Sequence, residues 1–144
     1  MERGAKIDTI IVDTGIIYAL TDKNDTWHRK SVDFVTTFNG RLIIPSTLLP
    51  EVCYLINKFL GKDAETIFIN SLINREMLIE HFDITDLQRC VQLLSKYADA
   101  NFGFVDASLM AIAERMNVCK ILTTDRRHFS IVRPEHCHSF TLLP

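Results

Sequence analysis

Apolar and polar positions fall into blocks along the chain, and the blocks predict strands alternating with helices. Thr9-Ile10-Ile11-Val12 is an unbroken β-branched run, which reads as a central strand buried on both faces. Asp13 closes it, and Thr14 to Leu20 begins a short helix that Asp13 or Thr14 can cap. After a polar loop a second helix is predicted from about Asp25 to Phe38, with Trp27, Val32 and Val35 among its apolar positions, and Asn39-Gly40 marks a turn. Leu42-Ile43-Ile44 is the second buried strand, ended by Pro45. Ser46 can cap a helix running to about Leu60, where Gly61 stops it, and Pro50 sits near the first turn, where a missing N–H costs little. A helix from about Asp63 to Asn74 and a strand from Met77 to Phe82 come next. Thr85-Asp86-Leu87-Gln88 fits a capping box and opens a helix to about Ala98.

The stretch GFVDASLMAIAERMNVCKILTTD, from Gly103 to Asp125, organises the rest. Val105, Leu109, Ile112 and Met116 recur at helical spacing, while Ala107, Ala111 and Ala113 thin the helix so that it can approach a sheet. Asn117 is a C-terminal stop, and Val118 to Leu122 is a short buried strand ending in Thr123-Thr124-Asp125. A turn at Arg126-Arg127-His128-Phe129 then leads, past Pro134, to a last strand near Phe140-Thr141-Leu142. Strands and helices alternating without hairpin signals predict an α/β fold in three layers, α/β/α, around a parallel sheet of about five strands. With no repeat, linker or low-complexity tract, residues 1–144 are expected to form a single domain.

Composition narrows the function only slightly. Sixteen Lys and Arg against eighteen Asp and Glu give a net charge of −2, which argues against a strongly basic nucleic-acid coat but leaves room for a local basic patch. Nine Phe against one Trp suggest a filled core in place of a base-stacking strip, with Tyr18, Trp27 and Phe38 expected in the core or at a dimer interface. The four cysteines show no C-x-x-C or zinc-ligand spacing, and Cys53 and Cys119 lie in apolar runs as small core residues would. The charged opening MERGAKID has no secretory pattern and no apolar run reaches the length of a membrane span, so the expected compartment is the cytosol.

Four acids stand where a parallel sheet could gather them: Asp13 after the first strand, Glu51 early in the helix after the second, Asp106 in a helix first turn, and Asp125 after a later strand. Each has a plain structural use as well. Asp13 can cap, Asp106 suits a helix dipole, Asp125 can turn the chain or pair with arginine, and Glu51 can face solvent. Ligand sites of open α/β sheets lie at the carboxyl ends of the strands, where all four could meet. Crowded carboxylates repel, so either some titrate high or a cation joins them. Oxygen donors favour a hard ion, Mg²⁺ or Mn²⁺, and such a site suits hydrolysis of a phosphodiester. No lysine or histidine is evidently placed as an alternative base. Thr124 could bond a carboxylate, a metal-bound water or phosphate. Arg126, Arg127 and His128 could grip RNA phosphate or form a solvated turn.

The segments IIVDTGIIYAL, PSTLLPEVCYL, FVDASLMAIAERM and LTTDRRHF follow one another at domain-scale spacing between Ile10 and Phe129. In that order they resemble the PIN-domain ribonucleases, the fold of VapC-like toxins in toxin–antitoxin pairs. The resemblance implies that Asp13, Glu51, Asp106 and Asp125 bind Mg²⁺ or Mn²⁺ and carry out RNA cleavage, with Thr124 beside the last acid and Asp99 as a further supporting position. It also implies an RNA substrate, an antitoxin protein and a homodimer. Gly15 departs from the pattern, since many relatives carry serine there.

Other readings compete. Asp13-Thr14-Gly15 is an aspartic-protease signature, but those enzymes are built from strands and this chain is rich in helix. A receiver domain would end a late strand with lysine, whereas Lys120 begins one, and a dehalogenase-type phosphatase would place a second Asp at Gly15. The remaining alternative is a catalytically weak PIN domain that binds RNA or a protein. His136-Cys137-His138 looks like a metal tract, but neighbouring residues of a strand point to opposite faces, so one ion cannot readily collect all three.

Overall fold

The computed structural model describes residues 7–144, so most of the charged opening segment lies outside the described residues. Five strands form one parallel sheet in the order β3-β2-β1-β4-β5, as β1 (Thr9–Val12), β2 (Arg41–Pro45), β3 (Leu78–Glu80), β4 (Lys120–Leu122) and β5 (Thr141–Leu143). Between β1 and β2 run α1 (Thr14–Thr21) and α2 (His28–Thr37); between β2 and β3 run α3 (Leu49–Leu60) and α4 (Lys62–Ile73). Helices α5 (Ile84–Lys96) and α6 (Phe104–Met116) carry the chain from the β3 edge across β2 and β1, and α7 (Arg126–Ile131) joins β4 to β5.

Parallel crossovers are right-handed. The chain moves one way from β1 to β3 and the other way from β3 to β5, so α1–α4 cover one face and α5–α7 the opposite face. The packing agrees, with α1 against α2 and α3, α3 against α4, and α5 against α6. This is the three-layer α/β/α arrangement expected. Ile10, Ile11 and Val12 of the central strand are at most 1% exposed, as doubly covered positions must be. Burial of each such side chain contributes about 1.5–3 kcal/mol. Helix α6 is buried from Ala107 through Ala113, more than a single stripe, because it is sandwiched between the sheet and α5.

Several boundaries move for local reasons. Helix α2 starts at His28 because the Asp25 carboxylate accepts from Trp27 N (2.8 Å) in a side-chain turn and does not cap a helix there. Residues Ser46–Leu48 make a 3₁₀ turn before α3 begins, with Pro50 in its first turn. The capping box lies two residues earlier than Thr85: Asp83 accepts from Asp86 N (3.0 Å), and Asp83 N donates back to Asp86 Oδ2 (3.1 Å). The expected turn at Arg126–Phe129 is the short helix α7, capped by Asp125. Asn117 ends α6 in the left-handed conformation at φ 56°, as its stop role requires. Among the described residues no helix is long and apolar enough to cross a membrane.

Candidate active site at the carboxyl end of the sheet

The direction of strand addition reverses between β1 and β4, which opens a crevice beyond their carboxyl ends. Val12 is level with Leu122, so the residues that follow each strand, Asp13 and Thr123, emerge side by side. Asp13 N donates to Leu122 O (2.9 Å) and carries the pairing one residue further.

Asp13 does cap α1, but with only one oxygen. Its Oδ1 accepts from Thr14 N (2.8 Å), while Oδ2 accepts from the buried Thr123 hydroxyl (2.8 Å). Thr123 Oγ1 in turn accepts from Asp125 N (3.0 Å), so a single hydroxyl fixes two of the four acids. Burial is the main force that pushes the Asp13 carboxyl up to about 6; Asp106 and Asp125 add to the rise, and the two hydrogen bonds oppose it. The rise is in the direction expected of crowded carboxylates, with desolvation as the larger cause.

Asp106, the third residue of α6, is half-buried and also titrates above the ordinary carboxylate range. Burial comes first, the charges of Asp125 and Glu51 reinforce it, and His128 opposes it. Asp125 caps α7 through Oδ1, which accepts from Arg127 N (3.0 Å). Glu51 is exposed in the first turn of α3 and faces the same charge field, since it contributes to the rise at Asp106. The four acids thus share one electrostatic region at one end of the sheet.

They do not form a closed cage. Among the described residues, no three of these acids place an oxygen each within 4.8 Å of one another. His128 stands between two of them, its Nδ1 3.0 Å from Asp125 Oδ2 and 3.3 Å from Asp106 Oδ2. His128, expected to grip phosphate or lie in a solvated turn, instead contacts two of the acids, where a base could stand. Reading the segment as a turn hid the relation, because Asp125 and His128 face one another only on a helix, at i and i+3.

The supporting residues also shift. Thr123, and not Thr124, holds the first acid. Thr124 has another part: a Cβ built on Gly15 would lie 2.4 Å from Thr124 Oγ1. Any side chain at position 15 would therefore make the Thr124 hydroxyl turn aside. Thr14 Oγ1, next to Asp13, is buried without a hydrogen-bond partner. Asp99 is exposed in the turn after α5, and no hydrogen bond or ion pair ties it to the acids. Arg126 donates to Pro144 O (2.9 Å), which occupies part of its guanidinium. Arg127 lines a cleft of about 560 Å³ with Asn101, Asp125 and His128, which leaves it facing the site's approach.

The donor set fits a hard divalent ion. It consists of carboxylates with a threonine hydroxyl behind them, Asp13 is buried and Asp106 half-buried with raised affinity for a proton, and the open spacing suits an ion that keeps several waters. Asp13, Asp106, Asp125 and Glu51 would hold it.

The PIN domain family model matches residues 10–133. Ribonuclease VapC26 of Mycobacterium tuberculosis is 27% identical over 135 residues, which is 94% of this chain and all of the relative. The crystal structure of Mycobacterium tuberculosis VapC20, described as a sarcin–ricin loop cleaving toxin, superposes with a TM-score of 0.76 at 20% identity, over 81% of this chain and 90% of the other. VapBC2 from Rickettsia felis, solved on a DNA fragment of its promoter, superposes at 0.64 with 16% identity over 84% and 90% of the two chains.

Proposed function

The chain belongs to the PIN-domain family, and from that premise we propose that it is a metal-dependent endoribonuclease hydrolysing RNA phosphodiester bonds at Asp13, Glu51, Asp106 and Asp125. The observation that carries the reading is the pair of raised carboxyls, Asp13 and Asp106, at the switch point of the sheet. Protein groups kept anionic there at neutral pH need a cation, and the donors present select Mg²⁺ or Mn²⁺. When bound, such an ion supplies an acidified water and positive charge for the phosphate.

The chain's own residues do the rest. Thr123 orients Asp13 and the Asp125 backbone, so the carboxylates at the ends of β1 and β4 keep a fixed relation. Arg127, at the cleft wall, binds and orients the phosphate backbone. His128 holds Asp106 and Asp125 in place and is positioned to share a proton with either.

The likeness to a VapC ribonuclease and to proteins solved as toxin–antitoxin assemblies supports the toxin role and an antitoxin partner; a homodimer in the cytoplasm is proposed with them. A second reading draws on His128, which bridges two acids where an ion would bind: a catalytically weak domain that captures RNA or a protein without cutting. Incubation of structured RNA with the chain and Mn²⁺ separates the two. Cleavage that stops in EDTA and falls at least a hundredfold in Asp106→Asn is expected of the nuclease. RNA bound equally with and without Mn²⁺, and left intact, would establish the binding module.

A further inference from the structure

We propose that Cys119, His136 and Cys137 form a second metal site, thiolate-rich and selective for a soft divalent ion such as zinc, at the end of the sheet opposite the carboxylates. One ligand atom from each of the three lies within 4.8 Å of the others, and all three side chains are half-buried. The objection from strand alternation does not hold, because residues 135–139 are a run of bends and β5 begins only at Thr141. Adjacent side chains there are free to turn to one side. His138 is exposed and outside the trio, and Cys119, just before the neighbouring strand β4, takes its place.

The histidine has one nitrogen free for a ligand. Its Nε2 lies 2.7 Å from Val118 O, an atom that can only accept, so the ring proton is on Nε2. That leaves a bare lone pair on Nδ1, which is buried and has no hydrogen-bond partner. One ring nitrogen donating to a backbone carbonyl while the other stands open is the arrangement that orients metal-binding histidines. Cys137 Sγ lies 3.6 Å from Nε2, the donating nitrogen, so a metal held by the sulfurs and Nδ1 requires the imidazole to turn within the cluster.

Two sulfurs and an imidazole select zinc over Mg²⁺ or Mn²⁺, and three protein ligands leave a fourth, solvent-side position open. A disulfide between the cysteines is the less suitable use. Forming one needs a two-electron oxidant that the structure does not supply, whereas a metal displaces the thiol protons itself. Entry is open as well, since Cys119 lines a cleft of about 400 Å³ beside Asp8, Arg41 and Lys120. The ion would clip the residues before β5 to the start of β4, where Thr141 N already donates to Cys119 O (2.8 Å). The far end of the same strand pair holds Thr123, whose N donates to Leu143 O (2.8 Å), so the clip braces the register on which the acid site depends.

Titration of the reduced, chelator-stripped full chain with Co²⁺ tests the assignment. One equivalent should give thiolate-to-cobalt charge-transfer absorption and the visible bands of a tetrahedral site, both bleached by Zn²⁺. Oxygen ligands give no such charge transfer, so the carboxylate site cannot imitate it. The bands should vanish in Cys119→Ser and in Cys137→Ser, and weaken in His136→Gln. They should persist in Cys53→Ser and in Asp106→Asn, which removes a ligand of the other site. A wild-type chain without charge transfer at one equivalent, or bands surviving in the double Cys119→Ser/Cys137→Ser variant, would overturn the proposal. Should the variants misfold by far-UV circular dichroism, alkylation of the wild type decides: Zn²⁺ must slow modification of Cys119 and Cys137 at least tenfold, and equal rates refute the site.

Discussion

Asp13→Asn should make the metal-free chain more stable at neutral pH, although it removes a proposed catalytic group. The native carboxyl titrates at about 6 against an ordinary value of 3.8, so the fold holds the proton more tightly than the unfolded chain does. Its contribution is therefore most favourable below pH 3.8, declines as pH rises towards 6, and stays at its full cost above. A shift of that size corresponds to about 3 kcal/mol at pH 7.5. Asparagine resembles the protonated acid: its oxygen can still accept from Thr14 N, and its amide can meet the Thr123 hydroxyl. In EDTA at pH 7.5, urea unfolding should place the variant about 2–3 kcal/mol above wild type, or roughly 5–10 °C in melting temperature. The gap should close near pH 4. Mn²⁺ should then reverse the order, because only the wild type keeps the full anionic set that binds it. A variant less stable than wild type at pH 7.5 without metal, or a gap unchanged between pH 4 and 7.5, would refute the account of a buried, uncompensated charge.

Two other substitutions probe the support beneath the acids. Thr123→Val removes the donor to Asp13 and the acceptor of Asp125 N, two buried partners at once, and should cost about 2–4 kcal/mol by urea unfolding. Thr123→Ser should restore most of it, and a valine variant as stable as wild type would show that the hydroxyl fixes neither acid. Gly15→Ala drives a methyl to within 2.4 Å of Thr124 Oγ1 and should destabilise by about 1–3 kcal/mol. Adding Thr124→Gly should relieve it, so a double-mutant cycle with no coupling between positions 15 and 124 would exclude the contact as the reason for the glycine.

The strands were legible because each of the three central ones is a compact apolar run, and burial on both faces leaves no other use for Ile10-Ile11-Val12 or Leu42-Ile43-Ile44. Strand order was not, since hydrophobicity says that a strand is covered and is silent on its neighbours. Helix starts moved where polar side chains had competing backbone partners. Asp25 serves Trp27 N, and Asp83 captures the box that Thr85 and Gln88 could equally have formed. Helix α7 escaped notice because its six residues carry two arginines and a single fully buried apolar anchor, Phe129, too little for a periodic signal.

That short helix explains most of what was misread at the site. The four acids were visible one by one, as residues that follow a strand or open a helix. Their supports depend on which way the chain turns after β4, a property of three or four residues. Thr123 and Thr124 are chemically alike in sequence; in the fold one is sealed beneath Asp13 and the other fills the space left by Gly15. His128 enters only once Asp125 is a helix cap and not a turn residue, because the cap sets the direction of the first helical turn. The same dependence governs the opposite end of the sheet, where bends in place of a strand allow His136 and Cys137 to face Cys119. In both places the residue types were readable and the facing was not, since facing follows from the backbone of connecting segments that carry almost no hydrophobic pattern. The insertion of β4 beside β1 then converts local facings into a site, by bringing Asp13 and Thr123, 110 positions apart in sequence, to a contact of 2.8 Å.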